Sequence, residues 1–479
     1  MQKKFIGNLF LLLFLNFLIK PIWILGIDRS VQNRVGLEEY GLYFALFNFS
    51  ILFNILLDLG LTHYNNQAVS RNRSEVVRNF SYLGSLKVFL GIGYLGVTLI
   101  SAYVSGYDST SFKLLLILSL NQFLSSFLLF LRSNLSGLQF YKTDSFLSVA
   151  DKALMIVICG LLLYSRFGPL EFNVFHFAFA QTTSYALAVF IAFGVVLRKV
   201  KVFSWRFNFK DYRAGLKKSL PYAFLILLMA LYTRIDGIMV DRMVGSYQSG
   251  IYAAAFRLLD MVNQLSYLVG VLLLPMFSNM LGKNESINAL SKLSFSLVFA
   301  GISALALSGW INADYLMDLL YHNDDPSQAR VFKWLMLSSV AFGTTFVFGT
   351  LLTAAKHLKT LNIIAFSGLI LNVVLNYILI PSHGPEGAAW ATFATQSITT
   401  LLQAYYSFIY CDLKFGKIYF LQLSGFVIVS IGIVTFLSEI NLYGAIKIML
   451  SITLILIFST LFKVLNFKAA IEIMRTRFK

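Results

Sequence analysis

Charged side chains are scarce in this sequence, and so is cysteine. Charged residues make up 13% and hydrophobic residues 58% of the 479 positions, whereas about a quarter of a soluble globular protein is charged. This imbalance excludes a soluble globular protein and predicts a polytopic membrane protein. Cys159 and Cys411, the only cysteines, each lie in or beside an apolar run, which excludes a disulfide framework and a thiolate metal site. The five histidines lack the spacing of metal ligands.

A nucleotide-binding loop is also missing. The pattern Gly-x4-Gly-Lys-Ser/Thr occurs nowhere, and the two Gly-Lys pairs, Gly282-Lys283 and Gly416-Lys417, lack the required neighbours. The chain therefore cannot hydrolyse ATP by a P-loop mechanism. We predict no cofactor and no metal site, and leave proton or sodium coupling open.

Apolar runs of helix length dominate the sequence. About 20 apolar residues are needed to span the hydrocarbon core as a helix, and the sequence contains fourteen runs of that size. The first run follows Lys3 and Lys4 and has no small-residue cleavage site, so we expect a retained spanning helix and not a secretory signal. The predicted spans are 5–25, 42–63, 80–104, 112–138, 145–164, 172–197, 219–240, 250–275, 293–311, 332–355, 360–380, 387–409, 418–437 and 443–463.

The placement of basic residues predicts the orientation. A net charge of +17 would suggest a nucleic-acid partner in a soluble protein, but here Lys and Arg concentrate in alternate loops, as retention on the cytoplasmic side produces. One set of loops, with both termini, holds 25 of the 39 basic residues. We therefore expect cytoplasmic termini and no nucleic-acid partner. The opposite loops hold only Arg29, Arg34, Lys113, Arg166, Arg242 and Arg330.

Two motifs occur twice in the chain. The pattern VGx4GxYxA spans Val35–Ala45 and recurs 209 positions later, and Ser136–Thr143 resembles Thr353–Thr360. Duplication in the same orientation predicts an all-α protein with two pseudo-symmetric six-helix lobes around a central cavity. The charge pattern places both VGx4GxYxA copies on the periplasmic side. The predicted parts are an N-lobe with a basic linker (1–215), a C-lobe (216–415), and helices 13 and 14 with a basic tail (416–479).

Further motifs carry a resemblance to a known family. They are Arg34–Tyr43, Asp58–Leu61, Ile235–Val240, Gly250–Asp260, Leu274-Pro275, and Asn372–Asn376 followed by Ile380-Pro381, Gly384 and Gly387–Ala389. On these residues the chain resembles the multidrug/oligosaccharidyl-lipid/polysaccharide exporter superfamily. Within that superfamily it is most similar to the bacterial polysaccharide flippases of O-antigen translocase type.

The resemblance implies a transporter and not an enzyme. It implies movement of undecaprenyl-diphosphate-linked oligosaccharide across the bacterial inner membrane by alternating access, for lipopolysaccharide O-antigen, capsule or exopolysaccharide biosynthesis. The implied partners are membrane lipids, the lipid-linked substrate and other polysaccharide-assembly proteins. The alternatives are a flippase for the peptidoglycan lipid precursor or a drug exporter of the same superfamily. A glycan polymerase or ligase is disfavoured, because such enzymes need a larger periplasmic loop than Asn312–Arg330, which we interpret as a solvated acidic loop.

Eight basic residues fall within the predicted spans. A charge near the bilayer centre costs at least about 2.5–3.5 kcal/mol, so it is usually functional or paired. Lys333 and Lys447 lie near helix ends and are expected to snorkel to the headgroups. Cationic side chains can replace the hydration of a diphosphate. The predicted substrate-binding residues are therefore a periplasmic-side set, Lys20, Arg234 and Arg257, and a cytoplasmic-side set, Lys87, Arg132 and Lys152.

Four intramembrane carboxylates are candidates for ion coupling or gating, although structural pairing is the commoner explanation. Asp260 lies three positions after Arg257, and Asp151 lies directly before Lys152. Arg257 and Asp260 share a helix face, which predicts an internal ion pair. The side chains of Asp151 and Lys152 point in different directions from the helix, which favours ion pairs with residues on neighbouring helices such as Lys87 or Asp58. The four are Asp58, Asp151, Asp236 and Asp260.

Lys20 stands immediately before Pro21 inside the first predicted span. Proline removes a backbone hydrogen bond and bends a helix, so we expect a bend beside a buried cation. The bend is either a moving element that carries a ligand contact, or a static kink with Lys20 reaching the headgroups.

Overall fold

A computed structural model describes residues 2–71, 75–165, 169, 171–200, 227–228, 230–322 and 325–465. The basic linker 201–226, the start of the seventh predicted span and the tail from residue 466 lie outside the described residues.

The described chain is mostly helical, and every predicted span overlaps helix where it is described. Ten of the described helices are long and apolar enough to cross a membrane, which makes this a multi-pass membrane protein. The helices are α1 Gln2–Pro21, a π-helix Ile22–Asp28, α2 Arg29–Val35, α3 Leu37–Leu52, α4 Ile55–Asp58, α5 Leu61–Arg71, α6 Glu75–Val104, α7 Ser109–Gly137, α8 Tyr141–Tyr164, α9 Val174–Val200, α10 230–244, α11 Ser246–Gly282, α12 Asn288–Ile311, α13 Ala313–Leu320, α14 Ser327–Ala354, α15 Leu358–Tyr410, α16 Lys417–Glu439 and α17 Gly444–Leu461.

The first membrane helix is longer than predicted. It continues without a loop from α1 through the π-helix into α2 and ends at Gly36. The φ of Gly36 is 86°, a backbone conformation that favours glycine over other residues. The predicted end at residue 25 is therefore wrong. The chain changes to π-helical hydrogen bonding directly after Pro21, and the Arg29 amide donates to the Ile24 carbonyl five residues earlier. Proline has no backbone N–H to donate, and a π-helical turn is one way in which a helix continues past such a position.

The second predicted span, 42–63, is not one continuous helix. It divides into α3, α4 and α5, with a turn at Phe53-Asn54 and a second break at Leu59-Gly60. Conversely, α15 unites the eleventh and twelfth predicted spans. These join at Gly384, where φ is 57° and ψ is −139° and the helical path is interrupted.

The backbone repeats as the motifs predict. Gly36 and Gly245 have φ values of 86° and 94°, and their amides donate to the carbonyls of Gln32 and Asp241, four residues earlier in each copy. In the second motif the left-handed positions are Gln139, with φ 67°, and its counterpart with φ 66°. The surrounding turn hydrogen bonds match pair by pair. The duplication is therefore present in local structure, and the helix ends after α7 and α14 follow the same plan.

The chain forms two compact units, Met1–Gly250 and Ile251–Lys479. In the first, Phe80 of α6 stacks on Phe130 of α7 within a core that also includes α9. In the second, α16 and α17 pack on α12 around Phe426 and Ile455. Helix α10, predicted to open the C-lobe, belongs to the first unit. The lobe limits inferred from the repeat stay a prediction.

Candidate functional site

Lys20, at the end of α1, lies within electrostatic range of charged side chains on α7 and α8. It occupies the last turn of α1, before the π-helix. The charges of Lys152, Asp151 and Arg132 act on its ammonium group. The helix is tied to α8 by a 3.0 Å hydrogen bond from Asn16 Nδ2 to Ser148 Oγ. The structure thus groups Lys20 with Arg132 and Lys152, whereas the sequence analysis assigned it to a set with Arg234 and Arg257.

Lys152 is held by aromatic rings more than by charge. Its ammonium lies 5.3 Å from the ring centre of Trp23 and 5.3 Å from that of Tyr185, and donates to the Tyr185 hydroxyl at 3.2 Å. Asp151 is 3.5 Å away. The sequence analysis favoured partners on neighbouring helices, but these adjacent residues pair with each other, because a lysine side chain is long enough to turn back to the preceding carboxylate.

Arg132 has a carboxylate of its own. Its Nε donates to Asp144 Oδ1 at 2.8 Å, joining α7 to the first turn of α8. Lys20, by contrast, has no hydrogen bond or ion pair to any residue in the described part of the chain. Of the three cations, Arg132 and Lys152 each have a carboxylate within ion-pair distance, whereas the half-buried Lys20 has none in the described chain.

Lys87 lies apart from this cluster. It is 1% exposed and forms a short ion pair with Asp58, and its ammonium also donates to Ser126 Oγ at 2.9 Å. Asp58 in turn accepts from the amide and hydroxyl of Thr62. Lys87 and Asp58 were named as examples of partners that Asp151 and Lys152 could have on neighbouring helices, but the structure pairs them with each other.

The remaining predicted residues divide between the two units. Arg234 and Asp236 lie on α10 in the first unit, where Asp236 is 2% exposed and Arg234 is half-buried. Arg257 and Asp260 lie on α11 in the second unit, and both are half-buried. Their predicted roles in substrate binding and ion coupling stay predictions.

Asp28 is a buried carboxylate that the sequence analysis missed. It is 3% exposed and accepts a 2.6 Å hydrogen bond from the Tyr40 hydroxyl. Because the first span was predicted to end at residue 25, Asp28 fell in a loop. The signal that could have found it is Gly36, since a glycine after a helical pattern marks the helix end.

The two copies of the repeat pack directly on each other in the first unit. A Cβ on Gly41 would lie 2.6 Å from the Gly250 nitrogen, and one on Gly250 would lie 2.7 Å from the Leu37 carbonyl carbon. Such approaches are too close for any side chain, so both positions require glycine. Each of these equivalent glycines therefore lies against the backbone of the other copy of the motif. We call this contact of α3 with residues 246–250 the glycine crossing.

Polar bonds reinforce the glycine crossing asymmetrically. Gln32 Nε2, on a fully buried side chain, donates to the Gly250 carbonyl at 3.0 Å, and Ser249 Oγ donates to the Gly41 carbonyl at 3.2 Å. Nearby, the Arg242 guanidinium lies 4.0 Å from the ring centre of Tyr107. Burial raises the pKa of Tyr107 to about 12, with the Asp241 carboxylate adding to the effect. The phenol is therefore neutral at physiological pH.

Within the segment Asn312–Arg330, the described residues 312–322 and 325–330 are more ordered than a solvated loop. The segment contains the helix α13, and Asp314 pairs with Lys333 at 3.1 Å. Asp325 accepts from the Ser327 amide at 2.9 Å at the start of α14. These acidic side chains serve helix ends and an ion pair, which is the use expected of structural residues.

Family models and curated relatives show which known proteins this chain resembles in sequence. A family model described as "Polysaccharide biosynthesis protein" matches residues 7–281, more than half of the chain, and a MatE model matches residues 221–378. The "Lipid III flippase" of Escherichia coli (strain K12) is 28% identical over 177 residues, which are 35% of this chain and 42% of the relative. The Shigella flexneri protein of the same name matches to the same extent.

Solved structures show the fold. The "Lipid II flippase MurJ, inward closed conformation" superposes with a TM-score of 0.76 at 15% identity, covering 95% of this chain and 98% of that one. A Vibrio cholerae MATE transporter, VcmN, gives 0.59 at 14% identity over 85% of this chain and 98% of its own. These proteins are named as flippases and transporters, not as enzymes. The chain belongs to the polysaccharide biosynthesis protein family and has the fold of the multidrug/oligosaccharidyl-lipid/polysaccharide exporter superfamily.

Proposed function

We propose that this protein is a flippase for undecaprenyl-diphosphate-linked oligosaccharide. One observation carries the proposal: the ammonium group of Lys20 has no direct hydrogen bond or ion pair in the described chain, and the Asp151 carboxylate acts on it together with the two cations Arg132 and Lys152. An unpaired charge within a membrane helix is costly and is retained where it binds a ligand. A diphosphate supplies the missing negative charge.

The substrate presents two unlike parts to the membrane. Its polyprenyl tail can remain in lipid, whereas its diphosphate and sugars must cross the hydrocarbon layer. Cationic side chains replace the water around phosphate with charge-assisted hydrogen bonds. Cations and aromatic rings occur together around Lys152, beside Trp23 and Tyr185. We assign the phosphate contact to Lys20, with Arg132 and Lys152 as supporting cations.

Alternating access requires one end of the protein to close while the other opens. We propose that the glycine crossing, with its close backbone contacts and buried hydrogen bonds, is the gate at one of these ends. In the predicted topology this end is periplasmic and both termini are cytoplasmic. We propose that the substrate enters from the cytoplasmic leaflet of the bacterial inner membrane while the crossing is closed, and leaves when it opens.

Membership of the polysaccharide biosynthesis family supports an oligosaccharide for O-antigen, capsule or exopolysaccharide assembly as the carried sugar. The similar proteins are named as flippases for lipid III and lipid II. They support a second candidate function, the flipping of another diphosphate lipid such as the peptidoglycan precursor. Arg234 and Arg257 remain proposed substrate contacts. Ion coupling through Asp58, Asp151, Asp236 or Asp260 remains proposed; among these four Asp236 is buried, and the buried Asp28 joins the candidates.

Binding of undecaprenyl diphosphate to the purified protein tests the role of Lys20. A charge-assisted hydrogen bond contributes about 1.5–3 kcal/mol, so Lys20→Gln should weaken binding by about 10- to 100-fold. Lys20→Arg should retain most of the affinity because it keeps the charge. Lys113→Gln, at an exposed position on α7, is the matched control and should bind like the wild type. Wild-type affinity in Lys20→Gln would refute the assignment.

A further inference from the structure

Three of the five tryptophans of the chain lie together in the second unit. The ring centres of Trp310 and Trp334 are 5.4 Å apart, and those of Trp334 and Trp390 are 5.8 Å apart, with interplanar angles of 83° and 75°. The three side chains come from α12, α14 and α15. All three are half-buried, so each keeps part of its surface accessible. We call these three side chains the tryptophan cluster.

An ion pair lies one helical turn from the tryptophan cluster. Arg330 Nε of α14 donates to Glu386 Oε2 of α15 at 2.9 Å. The contact of Trp334 with Trp390 lies four residues further along both helices, and residues four apart share a helix face. The two helices therefore run side by side in the same direction, and the ion pair borders the aromatic rings at the beginning of both.

The interruption of α15 adds a histidine to this border. Seven residues of a continuous helix span about 10 Å along its axis, yet the ring centres of His383 and Trp390 are 4.6 Å apart. Gly384, with φ 57° and ψ −139°, interrupts the helical path between them and brings the two rings together. His383 is exposed, and its Nδ1 shares a 2.8 Å hydrogen bond with Ser382 Oγ. The aromatic rings are thus bordered by polar and charged side chains.

The indole N–H of Trp390 is a donor without an acceptor. Its Nε1 is shielded from solvent and has no hydrogen-bond partner among the described residues. Indole N–H groups usually have a partner when they are buried, because a buried donor left without one destabilises the protein. A bound molecule with a hydrogen-bond acceptor at the edge of this ring would satisfy the donor.

We propose that the tryptophan cluster, together with Arg330, Glu386 and His383, binds the sugars of the lipid-linked substrate. The face of an aromatic ring carries partial negative charge, which attracts the polarised C–H groups of a sugar ring. Hydroxyl groups both donate and accept, so they can bond to the carboxylate, the guanidinium and the indole N–H. In the predicted topology the cluster lies at the periplasmic ends of its helices, the side on which the sugars arrive. The site rests on the proposed flippase function and assigns the sugars to residues other than Lys20.

Ligands with and without sugar separate this site from the phosphate contact. The purified protein in nanodiscs is titrated with undecaprenyl diphosphate, with the undecaprenyl-diphosphate-linked oligosaccharide pool extracted from the cells that make the protein, and with the oligosaccharide released from that pool. Trp390→Leu should weaken binding of the pool and of the released oligosaccharide about tenfold and leave undecaprenyl diphosphate unchanged. Lys20→Gln should weaken binding of both lipids and leave the released oligosaccharide unchanged.

Two further variants separate sugar binding from folding and from membrane anchoring. Trp390→Phe keeps an aromatic face and removes the N–H, so it should unfold at the wild-type temperature and bind the released oligosaccharide about fivefold more weakly. Tyr377→Leu, at an aromatic residue that is 71% exposed on the first half of α15, is the matched control. It should bind all three ligands like the wild type.

The outcomes distinguish the sugar site from the proposed function. Wild-type binding of the pool and the released oligosaccharide in Trp390→Leu would overturn the site. Equal losses for all three ligands in Trp390→Phe would show a purely structural cluster, and equal losses in Tyr377→Leu would show membrane anchoring; both also overturn it. Failure of the wild type to bind either lipid, with binding of the released oligosaccharide that depends on Trp390, would instead overturn the proposed function and leave the sugar site standing.

Discussion

Gly41→Ala and Gly250→Ala are each expected to destabilise the closed form of the glycine crossing and to impair transport severely. A methyl group at either position meets backbone atoms that cannot rotate away. Overpacking of this kind costs about 1–3 kcal/mol, which shifts the closed-to-open equilibrium by about 5- to 150-fold. Larger side chains such as leucine should prevent closure and abolish transport.

Thiol accessibility reads out the same change without a substrate. Leu37 is 5% exposed beside Gly250, so Leu37→Cys, in a background lacking the native cysteines, should resist a membrane-impermeant maleimide. Adding Gly250→Ala should make it reactive. Gly93→Ala, where the Cβ meets open space, is the control and should leave the thiol protected. If Leu37→Cys stays protected and transport stays at the wild-type rate in both glycine variants, the crossing is not a gate.

Breaking the Asp58–Lys87 pair is expected to have the second largest effect. Removing one member leaves a charge uncompensated in a buried site, because Lys87 is 1% exposed, and costs about 3–5 kcal/mol. Lys87→Met and Asp58→Ala should therefore lower the thermal stability of the purified protein strongly. The double variant should lose much less than the sum of the two singles, since residues in direct contact are coupled.

A second ion pair provides the comparison. Asp412 and Lys414 lie 2.8 Å apart, but their side chains are 81% and 74% exposed. Solvent screening limits such a pair to about 0–1 kcal/mol, so Lys414→Met should hardly change stability. Additive losses for Asp58 and Lys87, or an effect no larger than that of Lys414→Met, would show that the buried pair does not hold the helix break in place.

The spans could be predicted from sequence because burial in lipid imposes a length and an apolar composition on each of them. The duplication could be predicted for a related reason: Gly36 and Gly245 occupy backbone conformations that few residues other than glycine adopt, so the motif survives in both copies. A single sequence therefore indicates both which positions need an unusual backbone conformation and which segments are buried in lipid.

Partnerships between helices were much harder to predict. Nothing in the sequence states that Lys87 faces Asp58, or that Lys20 lies near Lys152, because those contacts depend on how helices rotate and stack. The break at Leu59 was missed because leucine carries no signal for a left-handed conformation. The helical continuation past residue 25 was missed because the predicted span was limited to the apolar run, whereas the more polar residues after it continue through the π-helix into α2.

Transport by the purified protein tests the central claim most directly. Proteoliposomes are loaded with an undecaprenyl-diphosphate oligosaccharide, and its appearance in the opposite leaflet is followed with and without proton and sodium gradients. The account predicts flipping by the wild type, a loss of about tenfold or more in Lys20→Gln, and wild-type rates in Lys113→Gln. Flipping at equal rates in empty and protein-containing liposomes, or in Lys20→Gln and wild type, would contradict it.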